Sequence, residues 1–133
     1  MLGIQDAEHA ETAPDASTLV ISRLTCSLVG KTETVRIMPD TLAHRAFGKD
    51  ETIEEFRCNY GLNPEYRERF GSGALCISGQ DANGEVRIFE LQDRRFFVGT
   101  LFLPQLSSSP AAPHPLILAY LKAAILRTAN AHY

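Results

Sequence analysis

The sequence predicts a mixed domain of strands and helices, and three patterns carry that expectation. Residues 32 to 38 alternate polar and apolar side chains, with Val35 and Ile37 on one face, as a half-buried strand does. Ala74 to Ser78 and Glu85 to Leu91 flank Asn83-Gly84, a pair that supplies the positive φ angles of a tight hairpin. Asn63-Pro64 opens a helix that Gly71 closes, and the apolar stretch from Leu116 to Thr128 suits a final helix. Periodicity alone leaves α/β and α+β arrangements both open.

Taken in order, residues 1 to 17 are polar and Ala-rich and read as a loop, followed by a short apolar strand from Thr18 to Ser22. A connection from Cys26 to Lys31 turns at Gly30 and leads into the alternating strand. Pro39-Asp40 stops that strand, and Asp40 is placed to cap a short helix from Thr41 to Phe47 that Gly48 ends. Thr52 to Tyr60 mixes acids with apolar residues, and Ile53, Phe56 and Tyr60 are the inward candidates. After the helix at 64 to 70 and the hairpin comes a third strand, Arg95 to Phe102, dense in Phe and Val. Gln105 to Pro113 is a Ser- and Pro-rich loop, and the last helix is apolar on most of its circumference, which predicts deep burial.

With 133 residues the chain suits one small domain, 1–133, and a composition of 44% hydrophobic and 22% charged residues is that of an ordinary globular protein. A net charge of -3, with basic residues scattered, argues against a nucleic-acid partner. The final apolar stretch is broken by Lys122 and too short to span a bilayer, so no membrane association is expected. The N-terminus carries Asp6, Glu8 and Glu11 where a signal peptide needs positive charge, which predicts a cytoplasmic protein. Cys26, Cys58 and Cys76 are too far apart for a C-x-x-C motif and read as buried or half-buried thiols. His9, His44, His114 and His132 are equally dispersed, so no metal site is expected.

Residues 85 to 103 read E-V-R-I-F-E-L-Q-D-R-R-F-F-V-G-T-L-F-L, followed by Pro104-Gln105 and, further on, by Pro113-His114-Pro115-Leu116. This stretch resembles the C-terminal part of the glutaminase domain of CTP synthases. There E-L-x-D-H-P, an aromatic residue and F-V-x-x-Q-F-H-P-E-F precede P-H-P-L-F and a helix. The likeness extends upstream: Asn63 to Glu68 reads N-P-E-Y-R-E as in that family, Cys76 to Gly79 resembles its F-S-G strand end, Asp40 to Ala43 its G-T-L-A helix start, and Leu2 to Ala7 its L-G-L-x-D-A run. The resemblance implies an α/β class I glutamine amidotransferase-like fold, a flavodoxin-like, mostly parallel open sheet, here without its N-terminal strands.

The same resemblance implies what the chemistry would need. A Cys nucleophile on a strand-to-helix elbow attacks the glutamine amide, a His moves the proton, and a Glu orients the imidazole. In this chain Leu103 stands at the position of that His and Gln105 at that of the Glu. Loss of a general base costs about 10²–10⁴ in rate, so no catalytic residue is expected at these degenerate positions. The family's nucleophile lies upstream of the run that begins here at Leu2, and none of the three cysteines sits in a G-x-C-x-G elbow. Its glutamine-holding R-H-R-Y run reads Arg57-Cys58-Asn59-Tyr60, so one Arg is kept and one lost. Glu11 aligns with a glutamine-contacting Glu, which leaves Glu11, Arg57, Tyr60 and Leu103 as a remnant ligand pocket.

The expected function is a non-catalytic module related to CTP synthase, a scaffold, regulatory or partner-binding domain that needs no cofactor. Two alternatives stay open: the glutamine-hydrolysing part of a CTP synthase-like ligase whose upstream sequence precedes Met1, or a small-molecule binder in the remnant pocket. If the chain is whole, the absent strands leave an unpaired edge. That predicts a homo-oligomer or a protein partner that completes the sheet.

Overall fold

The computed structural model describes residues 2–129, with side chains as far as Leu126; Met1 and His132 lie outside the described residues. The described strands are β1 (Glu8–His9), β2 (Leu19–Arg23), β3 (Lys31–Ile37), β4 (Glu51–Phe56), β5 (Tyr60–Leu62), β6 (Leu75–Gln80), β7 (Val86–Leu91) and β8 (Val98–Thr100). The helices are α1 (Leu42–Phe47), α2 (Arg67–Phe70) and α3 (Pro115–Ala129), and 3₁₀ turns cover Pro64–Tyr66 and Pro104–Ser107. They form a small sheet in the order β1-β2-β5 and a larger one in the order β4-β3-β6-β7-β8.

Strand direction departs from the mostly parallel expectation. Among the described residues only β1 and β2 run parallel, while β2–β5, β3–β4, β3–β6, β6–β7 and β7–β8 are antiparallel. The β6–β7 and β7–β8 connections are short, and short connections join antiparallel neighbours because a parallel pair needs a long crossover. The hairpin between β6 and β7 turns at the expected place, but of the pair Asn83-Gly84 only Gly84 takes a positive φ, 80°; Asp81 Oδ1 accepts from the N–H groups of Asn83 and Glu85, each at 2.9 Å.

One apolar cluster joins the large sheet to α1 and α3 through Val35, Ile37, Ala43, Phe56, Ile88, Phe102 and Leu116. Each such large side chain contributes about 1.5–3 kcal/mol on burial. A second cluster, Phe70, Leu75 and Leu91, joins β6 and β7 to α2 and the small sheet.

Four expectations are corrected here. The cap of α1 is Thr41, whose Oγ1 accepts from His44 N–H at 3.0 Å, and Asp40 instead occupies a left-handed turn with φ 61°. Ile53 is 69% exposed, because 51–56 is a strand and its alternation buries Thr52, Glu54 and Phe56. The last predicted strand shrinks to Val98–Thr100. Helix α3 is not deeply buried: Leu116 sits in the core, but Leu118, Tyr120, Leu121 and Leu126 are exposed.

Candidate functional site

Strand β8 delivers the chain to the position where the resemblance placed catalytic residues. Phe102 anchors the exit from the strand, 1% exposed and edge-on to Phe56 with ring centroids 5.9 Å apart. Thr100 Oγ1 donates to Phe102 O at 2.8 Å and tightens the bend. Leu103 then precedes the 3₁₀ turn, with its N–H directed at Glu55 O at 3.5 Å. Its side chain is half-buried and belongs to neither apolar cluster, while Gln105 is exposed. A leucine cannot accept a proton, and a neutral amide cannot favour a charged imidazole.

The remaining candidates gather around Cys58. Its Sγ donates to Leu101 O at 3.4 Å, two residues before Leu103. Burial pushes the Cys58 thiol up, the Glu11 carboxylate pushes it further, and Arg87 opposes both. Glu11 N–H donates to His9 Nδ1 at 3.0 Å, and the His9 ring lies 5.2 Å from that of half-buried Tyr60. Exposed Arg57 is held by its neighbour two residues away: Nε donates to Glu55 Oε1 at 2.9 Å and Nη2 lies 2.6 Å from the same oxygen.

Glu11, Arg57, Tyr60 and the Leu103 turn therefore share one strip, where β1, β5 and the ends of β4 and β8 meet. Sequence reasoning missed the joining roles of Cys58 and His9; the R-C-N-Y run was the available signal for the first. A thiol with a raised pKa is a poor nucleophile. Burial pushes Cys76 up as well, with Glu90 adding to the effect and a hydrogen bond from Gln92 opposing it. Cys26 is exposed, unlike the half-buried pair and contrary to expectation.

None of the cavities described in the structure is lined by Glu11, Arg57, Tyr60 or Leu103. A groove of about 500 Å³ runs between α1 and α3, with Arg45, Arg95 and Lys122 above Leu42, Phe96 and Leu118. Another of about 370 Å³ lies beside Cys26, lined in part by Glu33, Asp81 and Arg87. Among the described residues no group of His, Cys, Asp and Glu is arranged to hold a metal ion, and no helix is long and apolar enough to cross a membrane.

Buried polar groups around the turn do structural work. His114, read from the sequence as structural, is 4% exposed and packs edge-on to Phe47 at 5.4 Å. Leu116 N–H donates to its Nδ1 at 3.2 Å, so the ring hydrogen sits on Nε2 and points to Glu54 Oε1 at 3.1 Å. Thr52 Oγ1 donates to the same carboxylate oxygen at 2.9 Å.

This sheet, its flanking helices and the β8 turn make up the fold of a class I glutamine amidotransferase domain. Within that class, the chain is similar to the glutaminase domain of CTP synthases. It is 35% identical over 133 residues to the CTP synthase of Sulfurisphaera tokodaii, covering 93% of this chain and 25% of the relative. It is 40% identical over 90 residues to that of Roseiflexus castenholzii, covering 67% of this chain and 16% of the relative. The chain thus spans a quarter or less of the curated relatives it matches. A solved glutaminase domain of Trypanosoma brucei CTP synthase with bound acivicin superposes with a TM-score of 0.86 at 23% identity, over 94% of this chain and 53% of that one. A GMP synthase-like protein of Thermoplasma acidophilum shares the fold with a TM-score of 0.61 at 14% identity, over 84% of this chain and 52% of its own. No family model matches the chain.

Proposed function

We propose that this chain is a glutamine amidotransferase-like domain, related to CTP synthase, that does not hydrolyse glutamine and serves as a scaffold, regulatory or partner-binding module in the cytoplasm. The observation that carries the reading is the pair Leu103 and Gln105 at the β8 turn, where the resemblance calls for His and Glu. The nearest thiol, Cys58, gives further support: burial and Glu11 hold it protonated and its Sγ is spent on Leu101 O. A second reading, the glutaminase part of a CTP synthase-like ligase, draws on 35% identity over nearly the whole chain.

Incubation with glutamine and measurement of released glutamate and ammonia separates the two. The unmodified chain is expected to show no turnover above buffer, and so is Leu103→His/Gln105→Glu, which restores two groups but no nucleophile. Clear turnover by the unmodified chain would defeat the first reading. The T. brucei domain binds acivicin, so titration with acivicin, followed by thermal shift, reads whether the Glu11, Arg57 and Tyr60 strip keeps any affinity for such a ligand.

A further inference from the structure

We propose that the groove between α1 and α3 binds a free fatty acid, its carboxylate held by Arg45 and Arg95 and its alkyl chain laid along the alanines of α3. The site is separate from the strip around Glu11 and Tyr60, and it does not depend on whether the chain hydrolyses glutamine.

Small side chains leave the room. Ala46 of α1 and Ala119 and Ala123 of α3 line the groove, with Leu42, Leu118 and Leu126 as its larger apolar residues. Ala119 and Ala123 are four positions apart and so share one helix face. From Leu118 to Leu126 that face runs about 12 Å at 1.5 Å per residue. The volume of about 500 Å³ suits a small molecule, since ligand pockets hold about 300–1,000 Å³.

The charge around the groove has one sign. Arg45, Arg95 and Lys122 line it, and no carboxylate does. Among the described residues none of these three cations forms an ion pair. Arg45 Nη1 donates only to the Asp40 carbonyl, at 3.3 Å. In a chain of net charge -3 this is a local excess of positive charge. Arg94-Arg95 also stand where the resembled family reads His-Pro, so the cation at 95 is no part of the shared pattern.

A second, polar hollow of about 260 Å³ adjoins the groove, and Leu42, Arg45 and Arg95 line both. Its further charged residues are Arg94, Asp40 and Glu90. Glu90 is already spent on the Leu42 and Ala43 N–H groups, and Arg94 lies 3.6 Å from Asp93. Arg45 and Arg95 thus stand where an apolar trough meets a polar basin, which is the place for a head group joined to an apolar body.

A fatty acid matches both parts. Its single negative head meets the two unpaired guanidinium groups. Its chain is slender enough to lie against the alanines, while Lys122 covers it with its stem and keeps the ammonium in water. A partner helix, about 10–12 Å across, would ride over the groove and leave it unfilled.

The test titrates the full chain with decanoate and octanoate below micelle formation and follows the Ala46, Ala119 and Ala123 methyl signals by NMR. Saturable one-to-one shifts are expected, with decanoate bound roughly tenfold tighter than octanoate for its two further methylenes. Acetate and decyltrimethylammonium should leave these methyls unmoved. Arg45→Gln/Arg95→Gln should weaken decanoate roughly tenfold or more. Ala119→Leu fills the trough and should abolish binding with the charges intact; if that variant unfolds, Ala123→Leu should give the same loss. The proposal is overturned by unmoved methyls, by affinity that ignores chain length, by equal binding of the cationic amphiphile, or by a double Gln variant that binds as the unmodified chain does. Binding to phosphatidylglycerol vesicles without binding of monomeric decanoate makes a membrane surface the occupant and also overturns it.

Discussion

Replacing Glu90 tests how a six-residue helix is held in place. Glu90 lies on β7 and is 2% exposed. Its Oε1 accepts Leu42 N–H at 2.8 Å and its Oε2 accepts Ala43 N–H at 3.0 Å. With Thr41 Oγ1 on His44 N–H, the opening N–H groups of α1 are all taken. Glutamine at position 90 has the same shape but one acceptor oxygen and one NH₂. One backbone N–H would keep its partner and the other would face a donor. Losing a hydrogen bond to a charged group costs about 1.5–3 kcal/mol, and a buried donor left alone costs about 1–3 kcal/mol. Glu90→Gln should therefore destabilise the chain by about 3 kcal/mol or somewhat more. For a domain of this size that is a drop of roughly 10–15 °C in Tm, or more than about 1 M in the urea midpoint. Circular dichroism during heating and urea titration reads both, and the Leu42 and Ala43 amides should lose exchange protection first. Glu51→Gln on the exposed edge is the control, expected within about 0.5 kcal/mol. A Glu90→Gln protein that melts within about 2 °C of the unmodified chain would refute the carboxylate's role at this helix.

His114→Ala should cost about 1.5–3 kcal/mol, because the buried Glu54 carboxylate loses the hydrogen bond from Nε2; a urea midpoint close to that of the unmodified chain would count against this pairing. Thiol titration at pH 8 should label exposed Cys26 first, with Cys58 and Cys76 lagging. Both lagging thiols have pKa values raised above the ordinary 9.0, chiefly by burial. Raised folded-state values stabilise the fold fully below the unfolded thiol pKa, and that contribution fades as pH climbs through the folded values. Alkaline unfolding beginning above about pH 9 is therefore expected, and less of it in Cys58→Ser/Cys76→Ser. Equal labelling rates for all three thiols would contradict the order.

Local patterns in the sequence were sufficient for local structure. Val35 and Ile37 alternate into the core at 0% and 2% exposure, Asn83-Gly84 turns the hairpin, and Asn63 caps the 3₁₀ turn at Pro64. The misplacement of Ile53 shows where local reading ends. Its spacing to Phe56 and Tyr60 suits a helix face as well as a strand, and only pairing with Thr34 on β3 decides the matter. Helix α3 misled for the opposite reason: its apolar residues are real, but burial depends on what lies opposite them. The polar ties that hold the site in shape were invisible because they cross long stretches of chain. Glu90 reaches Ala43 across 47 residues, and His114 reaches Glu54 across 60. Among site residues, Leu103 and Gln105 were legible through their flanks. Cys58 was not, because its neighbours Glu11 and Leu101 come together only through the fold.

The outer face of α3 has a consequence for how long the protein lasts in a cell. Leu118, Tyr120, Leu121 and Leu126 present apolar surface to water, the kind of surface that chaperones and proteases recognise. Any copy left with that face bare is open to clearance, and a copy whose face is covered is spared. Polar residues in place of these side chains should then raise the steady-state amount of the chain at an unchanged rate of synthesis.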